Sequence, residues 1–333
     1  MKLRSCSRIL LLLGALLLSV LPVLGEQCLS PTEMDAATKS ALDQAAQQYF
    51  QMSQRGDYAG LKQNSIPLLA NSFNGVESTI ANQLDNLKTA QSTVRQEFVL
   101  DNTQVPGVNA QAEFFCGIMN SPNFTGFQIP NLPNGKYALV IQDVSGGKTP
   151  LTLTTILQNA GAAWQLAGYY LKPAAIDGHN SDWFLQQAQQ FQSKGDLYDA
   201  WLYYFEAWSL MAPVDFMGNK QLDSVNNAML QLRAKMPEIP SVNNPMPLAV
   251  AGKTYKITNL KPLEYNGQLN LLVKYQSADV SNTAQAFMDN KNVMTAVLGK
   301  WPQFRANFAG IDALAVDGSG HDYSTLLAMK DVQ

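Results

Sequence analysis

Hydrophobic residues in the first part of the chain recur at intervals of three and four. Two stripes have this spacing, Leu42, Ala45, Ala46, Tyr49 and Phe50, then Phe73, Val76, Ile80, Leu84 and Leu87. Such spacing places each set on one face of a helix. Ser30-Pro31-Thr32-Glu33 has the residue types of a helix start, and Arg55-Gly56-Asp57 interrupts the pattern. We therefore predict a first helix from about residue 30 and another over 73–87.

After residue 93 the pattern changes to short apolar runs that are separated by turn formers. The runs cover residues 94–100, 112–118, 136–144, 151–158 and 163–171. Asn134-Gly135, Gly146-Gly147 and Asn159-Ala160-Gly161 stand between them, and these residue types favour tight turns. The pattern predicts an antiparallel sheet whose last two strands form a hairpin.

Residues 182–212 and 221–235 return to a helical pattern. Gly195-Asp196 divides the first range into two helices, and Pro213 follows the second of them. The later range has one apolar face, formed by Leu222, Val225, Met229 and Leu232. A helical hairpin followed by a third helix is therefore predicted.

The remaining chain begins with a proline-rich linker and then combines strands with one helix. The linker contains Pro237, Pro240, Asn243, Asn244, Pro245 and Pro247, residues that favour an extended connection. Beyond it, strands are predicted over 253–257, 269–275, 311–316 and 323–329, with a helix over 281–300. The order ββαββ indicates a small α+β domain.

These patterns together predict an α+β protein with three segments. They are an α+β domain over 26–175, a helical segment over 176–240 and a small α+β domain over 241–333. A chain of 333 residues is long enough for more than one domain.

The first domain resembles the NTF2-like family, a cone of helices against a curved sheet. Gly56-Asp57-Tyr58 at the end of the opening helix carries the resemblance, with the closing Ala163-Trp164-Gln165-Leu166-Ala167-Gly168-Tyr169-Tyr170. The resemblance covers about 140 residues and implies a pocket between helices and sheet. Some members of the family use that pocket for isomerase or dehydratase chemistry, and many members only bind ligands or dimerise.

The helical segment resembles a single tetratricopeptide repeat. Its small residues are Ala188, Ala200 and Ala207, its large ones are Phe191 and Tyr204, and Gly195-Asp196 forms the turn. Pro213 closes the repeat one position late. One repeat cannot build a long groove, so the segment is either a docking surface or a hairpin packed on its neighbours.

The first 25 residues have the pattern of a secretory signal. Lys2, Arg4 and Arg8 precede an apolar run over 9–21, and Val23-Leu24-Gly25 has small or modest side chains at a cleavage position. We expect cleavage after Gly25 and an exported, periplasmic or secreted protein. The alternatives are an uncleaved membrane anchor and a lipid on Cys28.

Charge and cysteine content follow from that cleavage. The formal net charge is −3, and it becomes −6 when the three cations of the first 25 residues are removed. The mildly acidic chain has no basic stripe, so nucleic acid is not an expected partner.

Cys28 and Cys116 are an even pair in a compartment where disulfides persist. We expect them to be bonded, and the alternative is two separate thiols.

Three acidic residues are candidates for chemistry inside the cone that the NTF2-like resemblance implies. Asp101, Glu113 and Asp143 lie near predicted strands, and a carboxylate in an apolar pocket can act as a base. The alternative is that they lie at strand ends and face water. No catalytic residue is assigned.

Aromatic residues of the helical segment are the candidates for partner binding. They are Trp201, Tyr203, Phe205 and Trp208. They form either a docking surface for a protein or peptide or part of the core between segments, because rows of aromatic residues at helical spacing are mostly buried.

Candidate metal ligands are few. Asp177, His179 and Asp182 match no established ligand spacing, and a loop of this composition also caps helices. His321 stands between Asp317 and Asp322 without a nucleophile nearby. We expect no metal and no cofactor.

The sequence favours an exported, non-enzymatic binding or scaffold protein that docks a protein or peptide. Membrane contact is expected only through an uncleaved signal, and the oligomeric state is left open. The alternative is a protein that binds a small molecule in the cone, or an isomerase- or dehydratase-type enzyme that uses it.

Overall fold

The structure is a computed structural model that describes residues 25–105, 107, 110–119, 121–161, 163–236, 238–250 and 252–332. The predicted signal peptide over 1–25 therefore lies outside the described residues except for Gly25, as does Pro237 of the predicted linker. Helices and antiparallel sheets are mixed along the chain, which confirms the α+β class.

Four helices and a five-stranded sheet form the first layers. The helices are α1 (Ala36–Arg55), α2 (Tyr58–Gln63), α3 (Pro67–Asn71) and α4 (Asn74–Leu87). The strands are β1 (Gln27–Leu29), β2 (Gln91–Asp101), β5 (Lys136–Ser145), β6 (Leu151–Asn159) and β7 (Trp164–Pro173), in the spatial order β1-β2-β5-β6-β7. Every neighbouring pair in this sheet is antiparallel.

The first helix begins later than predicted. Its N-cap is Asp35, whose carboxylate accepts a hydrogen bond from the Thr38 amide at 2.8 Å. Ser30 and Glu33 do pair as in a capping box, since the Ser30 amide donates to the Glu33 carboxylate at 2.8 Å, but they form a separate turn. Gly56 ends the helix at φ 63°, a conformation that glycine adopts without strain.

The sheet separates two cores. Its helix-facing side packs on α1 and α4 through Leu42, Phe50, Ile80, Leu87, Val99, Val140 and Leu153. Its other side packs on a second, three-stranded sheet through Phe98, Leu100, Leu139 and Ile141. That sheet contains β3 (Gln111–Cys116), β4 (Thr125–Pro130) and β10 (Met217–Asn219), in the order β10-β4-β3.

The second half of the described chain is built around one continuous core. Its helices are α5 (Ser181–Lys194), α6 (Leu197–Met211), α7 (Lys220–Arg233), α8 (Thr283–Lys300) and the short α9 (Phe304–Asn307). Buried residues of α5–α7 and of the carboxy-terminal sheet belong to the same hydrophobic cluster. The boundary drawn at residue 240 from the sequence runs through this cluster.

The carboxy-terminal sheet has one strand more than predicted. Its strands are β11 (Met246–Val250), β12 (Lys253–Tyr265), β13 (Gln268–Gln276), β14 (Gly310–Val316) and β15 (Asp322–Ala328), in that spatial order. The predicted order ββαββ is thus corrected to βββαββ. Met246 and Leu248 point into the core, while Pro247 is exposed on an edge strand, the kind of strand to which proline is largely confined within sheets.

Short elements complete the fold. A two-stranded ribbon of β8 (Ala175–Ile176) and β9 (His179–Asn180) joins the two halves, and the 3-10 turn Met329–Asp331 ends the last strand. In the carboxy-terminal sheet the only parallel pair is β13 with β14, and α8 connects these two strands. Among the described residues, no helix is long and apolar enough to cross a membrane.

Candidate functional site

An open groove lies where the three-stranded sheet meets α6 and α7. The chain leaves α6 and pairs with β4, Met217 opposite Phe127, before α7 begins. The Gln128 amide also donates to the Phe216 carbonyl at 2.9 Å. This pairing brings Trp208 of α6 beside a hairpin that is about 90 residues earlier in the chain.

The groove has a volume of about 730 Å³ and is lined mainly by aromatic and apolar side chains. We call it the aromatic groove. Its lining residues are Phe115, Phe124, Gly126, Phe127, Gln128, Pro130, Trp208, Asp215, Phe216, Met217, Gly218, Leu222, Asp223 and Asn226.

Strand alternation explains why Phe115 faces this groove. In β3, Ala112, Phe114 and Cys116 are buried, while Phe115 is 52% exposed on the opposite face. The Phe115 ring stacks on that of Phe124, with centroids 6.1 Å apart and planes at 17°. The two rings therefore form one exposed aromatic wall.

Apolar exposure continues past this wall to the tip of the β3–β4 hairpin. Ile118 is 80% exposed and Met119 is 64% exposed. On the other side, Tyr170 of β7 contacts Phe216 edge to face, with ring centroids 5.8 Å apart. A contiguous apolar surface of this kind is typical of a site of interaction.

The disulfide fixes this hairpin where its turn begins. Cys28 of β1 and Cys116 of β3 are at disulfide distance, with Cα atoms 5.1 Å apart. This confirms the cysteine pair that we expected from the sequence. Cys116 directly precedes the exposed tip, so the bond ties the hairpin to the five-stranded sheet.

The four aromatic residues predicted for partner binding do not lie on one common surface. Tyr203 is buried, and its hydroxyl donates to the Asn307 carbonyl at 2.8 Å, so of the two alternatives given above this residue belongs to the core and not to a docking surface. Trp201 and Phe205 are half-buried against the core of the second half of the described chain, to which Tyr203 belongs. Trp208 is the one that lines the aromatic groove.

The three acids predicted for the cone are not brought together. Asp101 and Asp143 lie at opposite ends of the β2–β5 pair, roughly 23 Å apart along the strands. Asp101 accepts hydrogen bonds from Thr103, Asp143 pairs with Arg95 at 3.1 Å, and Glu113 is exposed on the outer face of β3. Each acid therefore lies at a strand end or faces solvent, which is the alternative to a shared pocket given above.

The acid that does face the helices is Glu97. Its carboxylate is almost completely buried and pairs with Lys39 of α1. Its second oxygen has no hydrogen-bond partner, and the same is true of the Gln142 side-chain carbonyl and the Thr155 hydroxyl. Apolar side chains of α1, α4 and the sheet surround them.

A buried acid, Glu206, and a half-buried lysine, Lys172, lie where three parts of the fold meet. Lys172 of β7 donates to the Ser209 and Ala212 carbonyls at the end of α6, the latter at 2.8 Å. The pKa of Glu206 is raised to about 7, mainly by burial; the charge of Lys172 opposes this shift and the charge of Glu264 contributes to it. Burial lowers the pKa of Lys172, against the charges of Asp215 and Glu206.

Two of the residues considered as metal ligands, Asp177 and His179, have structural roles. Asp177 accepts a hydrogen bond from the Leu269 amide at 3.0 Å, and the His179 ring stacks on Trp183 at 3.8 Å. His321 is exposed beside Asp317. Within the described ranges, no three His, Cys, Asp or Glu residues could together hold a metal ion.

Comparisons with known proteins provide no relative to guide the assignment. Family models, curated proteins and solved structures all gave no match to this chain.

Proposed function

We propose that this chain is an exported, non-enzymatic binding protein that docks a protein or peptide partner in the aromatic groove. The observation that carries the proposal is the groove itself, about 730 Å³ with five aromatic residues among its lining residues, on the hairpin that also exposes Ile118 and Met119. Aromatic side chains are enriched in the energetically dominant centres of protein interfaces.

The groove combines a rigid base with an accessible wall. Phe127 is fully buried and packs edge to face on Phe98, with centroids 5.1 Å apart. The disulfide holds the turn end of β3, directly after Phe115, and so restrains this part of the wall before a partner arrives. Preorganisation of this kind lowers the entropic cost of binding.

Export is part of the proposal and rests on two supports. The first is the tripartite pattern of the first 25 residues. The second is the cysteine pair at disulfide distance, since such bonds persist mainly in oxidising compartments. The resemblances to an NTF2-like domain and to one tetratricopeptide repeat remain proposals, supported by the helices-then-sheet order and by the α5–α6 hairpin.

Site-specific photocrosslinking tests the docking surface. Benzoylphenylalanine replaces Phe115 in one variant and Phe287 in the control, because Phe287 is also an exposed phenylalanine, 37% accessible, on α8. We expect a discrete adduct from position 115 that is absent at position 287. Adding the Trp208→Ala substitution to the position-115 variant should reduce the yield of this adduct. No adduct at 115, or identical adducts at both positions, would show that the groove is not a docking site.

A further inference from the structure

The aromatic groove continues into a second groove along α7. This second groove has a volume of about 740 Å³ and shares Phe124 and Asp223 with the first. Its other lining residues are Ser121, Lys220, Ser224, Asn227, Ala228 and Gln231. The two together form one surface with an aromatic part and a polar part.

The polar part follows one face of a helix. Lys220, Ser224, Asn227 and Gln231 recur at intervals of four, three and four residues and are exposed. The opposite face of α7 is buried through Leu222, Val225, Met229 and Leu232. Side-chain amides both donate and accept hydrogen bonds, so Asn227 and Gln231 offer the pairing that a peptide backbone requires.

The length of this face matches a short extended segment. Lys220 to Gln231 spans about 16 Å at the helical rise of 1.5 Å per residue. An extended chain advances about 3.3 Å per residue, so roughly five residues would cover the polar part. A small molecule would fill only one of the two grooves.

The charged residues of the aromatic part indicate which kind of ligand it binds. Asp215 and Asp223 are among its lining residues, which include no lysine, arginine or histidine. Both carboxylates are exposed. Cations bind to aromatic faces, most often as arginine, and carboxylates at the rim attract the same group. The surface therefore complements a ligand that is apolar and positively charged.

We propose that the two grooves form one site for an extended polypeptide segment that places apolar and basic side chains in the aromatic part and runs its backbone along Asn227 and Gln231. This proposal rests on the docking function proposed above and specifies its partner. Asp223, which lines both grooves, lies where the basic side chain and the following backbone meet.

Labelled peptides of about eight residues test the charge requirement. Each has an apolar core of leucine and phenylalanine with one variable position, occupied by arginine, glutamine or glutamate. Binding is measured by fluorescence anisotropy on the full mature chain. We expect the arginine peptide to bind about ten-fold more tightly than the glutamine peptide, with the glutamate peptide weakest. The preference should shrink at high salt.

Variants connect that preference to the named residues. Asp215→Asn combined with Asp223→Asn should abolish the preference for arginine, while Asp322→Asn, an exposed acid on the carboxy-terminal sheet, should leave it unchanged. Asn227→Ala with Gln231→Ala should weaken all eight-residue peptides equally. The same pair should not affect a four-residue peptide that contains only the apolar and basic core.

The outcomes separate this proposal from the docking function. The charged-segment proposal is wrong if the arginine and glutamine peptides bind equally, or if the preference for arginine persists after both aspartate substitutions. In either case the docking function stands if Phe115→Ala still abolishes peptide binding. If no peptide binds and benzoylphenylalanine at position 115 gives no crosslinked adduct, both proposals are wrong. Binding to phosphatidylcholine vesicles that requires Ile118, without peptide binding, would replace the polypeptide by a membrane.

Discussion

Cys28 and Cys116 join two sheets that share no strand. Cys28 pairs with Leu100 in the five-stranded sheet, and Cys116 pairs with Thr125 in the three-stranded one. Their Cα atoms are 5.1 Å apart although 88 positions separate them in the chain. The bond therefore fixes the amino-terminal strand and the turn end of the exposed hairpin at the same point.

Loss of this bond should destabilise the protein strongly. A closed loop of that length restricts the unfolded chain by about 4–5 kcal/mol in the chain-entropy account. We expect Cys28→Ser with Cys116→Ser to lower the free energy of unfolding by about 2–5 kcal/mol in urea titrations. Reductant should destabilise the wild type and leave the double variant unchanged. Equal stability of both proteins would contradict a disulfide.

Neighbouring phenylalanines in β3 should behave in opposite ways. Phe114 is fully buried and Phe115 is half exposed. Phe114→Ala should cost about 3–5 kcal/mol of folding free energy, whereas Phe115→Ala should cost less than about 1 kcal/mol and weaken peptide binding in the anisotropy assay. Chemical denaturation gives the first result. A large loss of stability from Phe115→Ala would mean that this ring belongs to the core.

The sequence predicts most long elements correctly because their periodicity is strong. The helices at 73–87 and 281–300 were predicted within two residues, and so was the strand at 136–144. Strand β4 was missed because Gly126 and Pro130 interrupt its apolar run. The sequence pattern also placed Met246–Val250 in a linker, because Pro245 and Pro247 indicate a linker more strongly than Met246 and Leu248 indicate a strand.

The groove could not be predicted because it forms between distant parts of the chain. Trp208 was identified from helical spacing, but Phe115 and Phe216 reach it only through the pairing of β10 with β4. Helical spacing also could not show that Tyr203 points to Asn307. A bulge between Val94 and Gln96 changes the strand alternation, so Val94 and Glu97 share one face.

The buried partner of Lys39 provides a test by double substitution. Lys39→Met would leave the Glu97 carboxylate buried without its cation, which typically costs about 3–5 kcal/mol. Lys39→Met combined with Glu97→Gln should recover part of that loss, because no charge remains buried. The three proteins are compared by urea unfolding. A double variant less stable than Lys39→Met would show that the carboxylate does not depend on Lys39.

Glu206 should make stability depend on pH around neutrality. Burial raises the pKa of Glu206 to about 7 in the folded protein, whereas an unfolded glutamate titrates near 4.3. The folded state therefore holds the proton more tightly, and its stability should rise as the pH falls from about 8 towards 5. The charged groups that act on Glu206 are Lys172 and Glu264, and Asp215 acts on Lys172.

Glu206→Gln isolates this effect. The variant keeps a polar side chain of similar size but cannot ionise, so it should be more stable than the wild type at pH 8 by up to about 3 kcal/mol. The two proteins should converge as the pH falls towards 5. Lys172 keeps its bonds to the Ser209 and Ala212 carbonyls in the variant. Urea unfolding from pH 5 to 8 measures the difference, and parallel stability curves over this range would mean that Glu206 titrates normally.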